Sequence, residues 1–280
     1  LGPGKGTLIS DILRITQSFD KFHNLMNIHL IEINKKLIKK QKKNIQKIYF
    51  NIKKIRWLDN FDSIGAKPSI IFANEFFDCF PIKQFVKINS LWNEKKINFN
   101  KKENRLFIYN TVVNNISLIA KLDKYANKYN YKNNQIIEMS PQREIYFDKI
   151  CKFIKKNSGI LIVFDYGYNS SIHYSTIQSI NNHNYTHILD NPGQQDISSF
   201  VNFTNFKEIC IRNKLNHYKL FTQKNFLIRN GIEERKNKII KNSTNKERKD
   251  IELGFQRLIS DDQMGSLYKC LIVSESKIYE

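Results

Sequence analysis

The chain has 280 residues, 41% of them hydrophobic and 12% aromatic, with only five prolines. That apolar content excludes wholesale disorder and suits one large α/β domain with insertions or two modest domains. The 46 Lys and Arg against 26 Asp and Glu give a net charge of +20. Such an excess raises nucleic acid, an anionic membrane surface or an acidic partner as candidates.

The lysines run through the whole chain, as in Lys39-Lys40-Gln41-Lys42-Lys43-Asn44. We read this first as the codon drift of an AT-rich genome rather than a dedicated basic face. Cys79, Cys151, Cys210 and Cys270 stand singly, without Cys-x-x-Cys or a histidine at ligand spacing, so neither a metal site nor a disulfide framework is expected. No apolar run approaches the roughly 20 residues of a membrane-spanning helix, so no membrane insertion is expected. The chain opens on Leu1-Gly2-Pro3-Gly4 without a Met, and its true N-terminus is expected to lie upstream.

In chain order, Gly2-Pro3-Gly4-Lys5-Gly6 leads into a helical pattern with apolar Leu8, Ile9, Ile12 and Leu13. Asn27 to Glu32 reads as a buried strand ending in a carboxylate, followed by a lysine-rich helix from about Asn34 to Lys47. A strand-like run lies at Ile48 to Phe50, with Trp57 beyond it. Ser69 to Ala73 and Gly159 to Phe164 read as buried strands of a mostly parallel sheet with crossover helices. Residues 85 to 115 alternate apolar and polar positions and predict antiparallel strands. Gly231 to Asp250 is an exposed helix or a connector, and apolar character returns from Leu253 to Val273. The expected divisions are a nucleoside-binding α/β core at 1–84 and an insertion with antiparallel strands at 85–135. The remainder of the core follows at 136–230, and a charged helix with a C-terminal strand at 231–280.

Glycines at alternate positions let the chain turn tightly and present backbone N–H groups at a helix N-terminus. A phosphate-cradling loop needs Gly-Lys followed by Ser or Thr, and here Lys5 is followed by Gly6. A dinucleotide loop wants its third glycine one residue later. Gly-x-Gly-x-Gly is the usual spacing for S-adenosylmethionine, making Gly2, Gly4 and Gly6 the candidate cofactor loop. Glu32, at the end of the next strand, is placed to accept both ribose hydroxyls. An ordinary tight turn and a solvated strand end are the bland alternatives. Trp57 and its neighbour Leu58 stand where such folds often contact adenine, with core packing as the other reading.

At Asn74-Glu75-Phe76-Phe77-Asp78-Cys79-Phe80-Pro81-Ile82 the sequence resembles the signature stretch of the MidA-type methyltransferases. Further blocks agree in order: Leu1 to Leu8, Ile137 to Pro141, Asp165 to Tyr168, Asn191 to Gly193 with Asp196 and Val201 to Phe203, and Gln263 to Gly265 with Tyr268 and Lys269. The resemblance spans the chain and implies a Rossmann-like class I fold, with S-adenosyl-L-methionine as cofactor. It also implies a missing N-terminal region, including the first sheet strand. On that basis the segment is expected not to fold stably alone. Lys83 and Asn202 depart from the family, which usually has His and Asp there.

The resemblance further implies a protein arginine acceptor, on a subunit of respiratory complex I or a related assembly client. A guanidinium is permanently cationic and matches carboxylates. Glu75 and Asp78, at i and i+3, would share one side if a helical turn starts there, and with Asn74 they are the candidate catalytic residues. The competing reading is an acid-rich helix N-terminus. Phe77, Asp165 and Tyr166 are candidates for the acceptor side, against core packing for Phe77 and a strand-end turn for the others. The alternatives are a nucleic-acid methyltransferase, disfavoured because Asn74 is followed by Glu75 and no base-stacking Asn-Pro-Pro-Tyr motif is present, and an inactive assembly factor that retains the fold. A bacterial cytoplasm is expected, with the mitochondrial matrix as alternative and a homodimer left open.

Overall fold

The computed structural model describes residues 1–48, 54–182 and 184–277. Two compact units make up the chain: one formed by Leu1–Phe76, Lys149–Asp165 and Cys210–Glu280, the other by Phe77–Asp148 and Tyr166–Ile209. These divisions fall elsewhere than those drawn from the sequence. The chain leaves the first unit at the signature stretch, and two later segments return to it.

The first unit opens with the helices α1 (Thr7–Thr16) and α2 (Asp20–Leu25), followed by the strand β1 (Ile28–Ile31), the helix α3 (Lys35–Gln46) and the strands β2 (Ile55–Leu58) and β3 (Ser69–Asn74). Of the strand-like run at 48–50, Tyr49 and Phe50 lie outside the described residues. β1 and β2 pair in parallel from Ile28–Ile55 to Ile31–Leu58. Leu13, Ile28, Leu30, Ile45 and Ile55 form their core, with Ile9, Met26 and Trp57 packed against it. Each such side chain contributes about 1.5–3 kcal/mol when fully buried. That packing, rather than the poor intrinsic hydropathy of α3, holds the lysine-rich helix in place.

The second unit carries β4 (Lys83–Ile88), β5 (Leu91–Asn100), β6 (Arg105–Val112), α4 (Ile116–Lys128) and β7 (Ile136–Met139). The expected antiparallel strands are present, in the order β6-β5-β4-β7. Residues 136–139, read from sequence as resumed core, instead pair antiparallel with β4. Phe85, Trp92, Val113, Leu122, Ala126, Ile137 and Met139 form the hydrophobic cluster beneath that sheet.

The helix α5 (Pro141–Asn157) and the strand β8 (Gly159–Tyr168) each run through a division between the units. The second unit then adds β9 (Gln178–Asn181), β10 (Asn184–Thr186), β11 (Asp196–Ser198) and β12 (Val201–Asn202), and the helix α6 (Phe203–Arg212) leads back to the first. β13 (His217–Thr222), α7 (Gln223–Arg229), α8 (Ile232–Lys241), α9 (Asn245–Ile259), α10 (Met264–Leu267) and β14 (Tyr268–Ser274) complete the first unit. The charged stretch after Gly231 is thus helical, and α9 starts with a capping box between Thr244 and Glu247.

Within the first unit β3 pairs in parallel with β8 from Ser69–Gly159 to Asn74–Phe164. β14 lies between β8 and β13 and pairs antiparallel with β13. Cys270, Leu271, Ile272 and Val273 are buried in succession, as in a strand covered on both faces. Gly159 starts β8 at φ +136°, where an added Cβ would lie 2.3 Å from the Ser69 carbonyl oxygen, so the close pairing with β3 requires glycine.

Candidate cofactor and acceptor site

The loop from Gly2 to Gly6 sits beside the carboxyl end of β1, with the Gly2 amide donating to the Ile31 carbonyl at 3.1 Å. Gly2, Gly4 and Gly6 all adopt positive φ, at +51°, +55° and +81°, a region closed to most side chains. Gly6 is the N-cap of α1 and offers no side-chain cap, leaving the first turn to whatever lies before it. A Cβ at Gly4 would meet nothing within 4 Å, so the loop faces open space there.

Gln41, fully buried on α3, joins the loop to the rest of the site. Its Nε2 donates to the Gly4 carbonyl at 2.8 Å and to Glu32 Oε2 at 3.2 Å, while its Oε1 accepts from Trp57 Nε1 at 2.9 Å. Glu32 is only 8% exposed, and its Oε1 accepts from the Asn34 amide at 2.9 Å. The Glu32 amide donates to the Leu58 carbonyl, which places β2's end alongside. Gly2, Gly4, Gly6, Glu32, Trp57 and Leu58, all read from sequence, therefore form one neighbourhood. Gln41 was not among them.

These residues fit a nucleoside. A carboxylate has about four lone-pair sites, and the two protein donors on Glu32 leave room for both hydroxyls of a ribose. Trp57 is partly exposed, with Lys42 Nζ 5.1 Å from its ring centre.

At the end of β3, Asn74 and Glu75 are exposed. The expected helical turn is absent: Glu75 has φ +47°, and its amide donates to the Phe164 carbonyl at 2.8 Å. A left-handed non-glycine residue costs on the order of 1–3 kcal/mol and persists where surrounding structure imposes it. Asn74 Nδ2 lies 3.4 Å from Glu75 Oε1. The next side chain, Phe76, packs against the cofactor loop, where a Cβ on Gly2 would come within 2.8 Å of its ring. Asp165, on β8 in the same unit, is fully buried.

The other candidates belong to the second unit and serve its interior. Asp78 is 8% exposed, and burial holds its carboxyl above the usual carboxylate range against the Tyr166 hydroxyl and the Arg143 charge. Arg143 also donates to Ser199 Oγ at 2.7 Å and the Phe200 carbonyl at 2.9 Å. The premise that Glu75 and Asp78 share one helical side therefore fails. Phe77 is fully buried, its ring centre 5.0 Å from Phe206, so it is a core residue rather than a cleft wall. Tyr166 is 9% exposed and spends its hydroxyl on Asp78. Of the two departures, Lys83 pairs with Glu94 at 3.3 Å, and Asn202 donates to the Tyr125 hydroxyl at 3.1 Å. Among the described residues no cluster of His, Cys, Asp and Glu could hold a metal ion, and no helix is long and apolar enough to cross a membrane.

Comparison with known proteins identifies the family. The model of a family described as "Putative S-adenosyl-L-methionine-dependent methyltransferase" matches residues 1–220. The protein arginine methyltransferase NDUFAF7, mitochondrial, of Xenopus tropicalis is 25% identical over 99% of this chain and 68% of its own length. The Xenopus laevis protein of that name is 27% identical over 96% and 64% respectively. The chain thus spans about two thirds of these curated relatives. A crystal structure from Burkholderia thailandensis, bound to S-adenosyl-homocysteine, shares the fold with a TM-score of 0.81 at 17% identity, covering 98% of this chain and 70% of its own. With the match running over most of its length, the chain belongs to this family of S-adenosyl-L-methionine-dependent methyltransferases.

Proposed function

We propose that the chain binds S-adenosyl-L-methionine on the Gly2–Gly6 loop, Glu32 and Trp57 and directs methyl transfer to an arginine of a protein substrate. The observation that carries this reading is Glu75: an exposed carboxylate in a left-handed conformation at a strand's carboxyl end, followed by a side chain packed on the cofactor loop. Ligands of open α/β sheets bind at that end.

S-adenosyl-L-methionine supplies a methyl carbon activated by its sulfonium. An arginine nitrogen forms the new N–C bond as the C–S bond breaks, the sulfur keeps the electron pair, and the methylated guanidinium gives up a proton. Little covalent machinery is needed beyond orientation. Glu75 accepts hydrogen bonds from the planar, forked guanidinium and concentrates electron density on the attacking nitrogen. Asn74, beside it, orients that carboxylate or the substrate. Asp78 acts as a positioning residue within the second unit.

The arginine acceptor rests on the names of the relatives at 25% and 27% identity and on the chemistry of Glu75. The resemblance adds a subunit of respiratory complex I, or a related assembly client, as substrate. The relatives' mitochondrial designation fits a mitochondrial compartment, and the bacterial source of the solved structure fits a bacterial cytoplasm. Incubation with methyl-labelled cofactor and a cell lysate, followed by identification of the labelled residue, tests the proposal. Label on arginine side chains is expected, and label confined to nucleic acid would overturn it.

A further inference from the structure

α3 carries Lys35, Lys36, Lys39, Lys40, Lys42 and Lys43, with Lys47 just after it; all are exposed. Lys36, Lys40, Lys43 and Lys47 recur at i, i+4, i+7 and i+11, one stripe of the helix opposite the buried Gln41 and Ile45. No acid interrupts α3, and among the described residues none of these lysines is in an ion pair. Several lysines elsewhere are paired, as in Lys128–Glu208, Lys149–Asp62 and Lys224–Asp261. Codon drift accounts for many lysines but not for their concentration without counter-charges on one helix.

Past the C-terminal end of α3, where Gln17 at the end of α1 reaches Ile48, the chain presents an apolar knob. α2 buries none of its residues, yet it displays Phe22 at 41% and Leu25 at 80% exposure, with Phe19 before it at 61%. Lys54 Nζ donates to the Asn24 carbonyl at 2.7 Å, and Gln17 Nε2 donates to the Ile48 carbonyl at 3.1 Å. The first bond ties α2 to the segment that enters β2 and the second ties the end of α1 to the residue following α3, all within the first unit. Lys21 and Lys54 flank the knob, and Asp20 is the acid of α2.

We infer that this corner of the first unit is a peripheral docking surface for an anionic lipid bilayer, with Phe19, Phe22 and Leu25 entering the headgroup region and the α3 lysines facing acidic headgroups. A bare polyanion would use the lysine stripe and has no need of three large aliphatic and aromatic side chains held out on and just before a helix that buries none of its residues. Amphipathic elements that lie in a membrane interface pair these two features, and the attraction is electrostatic plus apolar. The seat is on the surface, and no spanning helix is involved.

The test is co-sedimentation of the full chain with vesicles of phosphatidylcholine alone and of phosphatidylcholine with about one third phosphatidylglycerol. Binding only to the anionic vesicles, weakened at high salt, is expected. Reversing charge in Lys36→Glu/Lys40→Glu/Lys43→Glu and removing the knob in Phe22→Ser/Leu25→Asn should each weaken it about tenfold or more. Both variants alter exposed side chains, so unfolding is not expected, and the salt response of the unaltered chain needs no variant. Equal retention on both vesicle types would overturn the inference, as would no retention on either. So would vesicle binding untouched by the knob variant with equally tight binding to single-stranded nucleic acid, which would make the stripe a general polyanion site.

Discussion

Gln41 Nε2 lies 2.8 Å from the Gly4 carbonyl and 3.2 Å from Glu32 Oε2, so one buried amide ties the glycine loop to the Glu32 carboxylate. Its other end accepts from Trp57 Nε1, giving three elements a common point of attachment. Replacing it by Leu keeps much of the volume but leaves the Glu32 and Trp57 groups short of a partner. Buried groups left unsatisfied cost about 1–3 kcal/mol each. Gln41→Leu should lower the melting temperature and weaken S-adenosyl-homocysteine binding about tenfold or more, as read by calorimetry. Unchanged affinity would show that the amide is not part of the cofactor site.

Asp78 makes a pH prediction. Burial raises its pKa in the folded state, so the native protein holds this proton more tightly than the unfolded chain does. The contribution is fully present below the unfolded-state value of about 4 and is lost as pH rises through the raised native value. Melting temperatures of the parent and of Asp78→Asn should therefore diverge in the variant's favour as pH is increased from about 4. A difference that moved the other way would mean that the Arg143 charge outweighs burial.

Phe206 tests the second unit's core. Its ring stacks on Phe147 at 3.8 Å with an interplanar angle of 3°, and meets Phe77 and Phe203 edge-on. Phe206→Ala should cost about 3–5 kcal/mol in chemical denaturation, the range for removing a buried aromatic. A loss below about 1 kcal/mol would mean that the neighbouring rings collapse into the space.

What could be read from the sequence was what local patterning determines. The glycine spacing, the carboxylate at the end of β1 and the antiparallel alternation after residue 85 all depend on neighbours along the chain. Gln41 escaped notice inside a run of lysines, although its phase was available: it shares the apolar side of α3 with Ile45, and a polar residue there needs a partner. The left-handed Glu75 was not legible. Its conformation depends on the Phe164 carbonyl of β8, far along the chain, and the i, i+3 spacing of two acids suggested a helix that tertiary pairing overrides. The burial of Asp78 and Phe77 was not legible either, since a signature motif does not reveal which of its members face inward.

The arginine-acceptor account turns most directly on Glu75. Methyl transfer to an arginine-containing substrate by the parent and by Glu75→Gln should differ by about a hundredfold in kcat/KM, the scale for losing a placed electrostatic contact. S-adenosyl-homocysteine affinity should stay the same. Undiminished transfer by Glu75→Gln, with arginine still the labelled residue, would contradict the assignment of this carboxylate to the acceptor guanidinium.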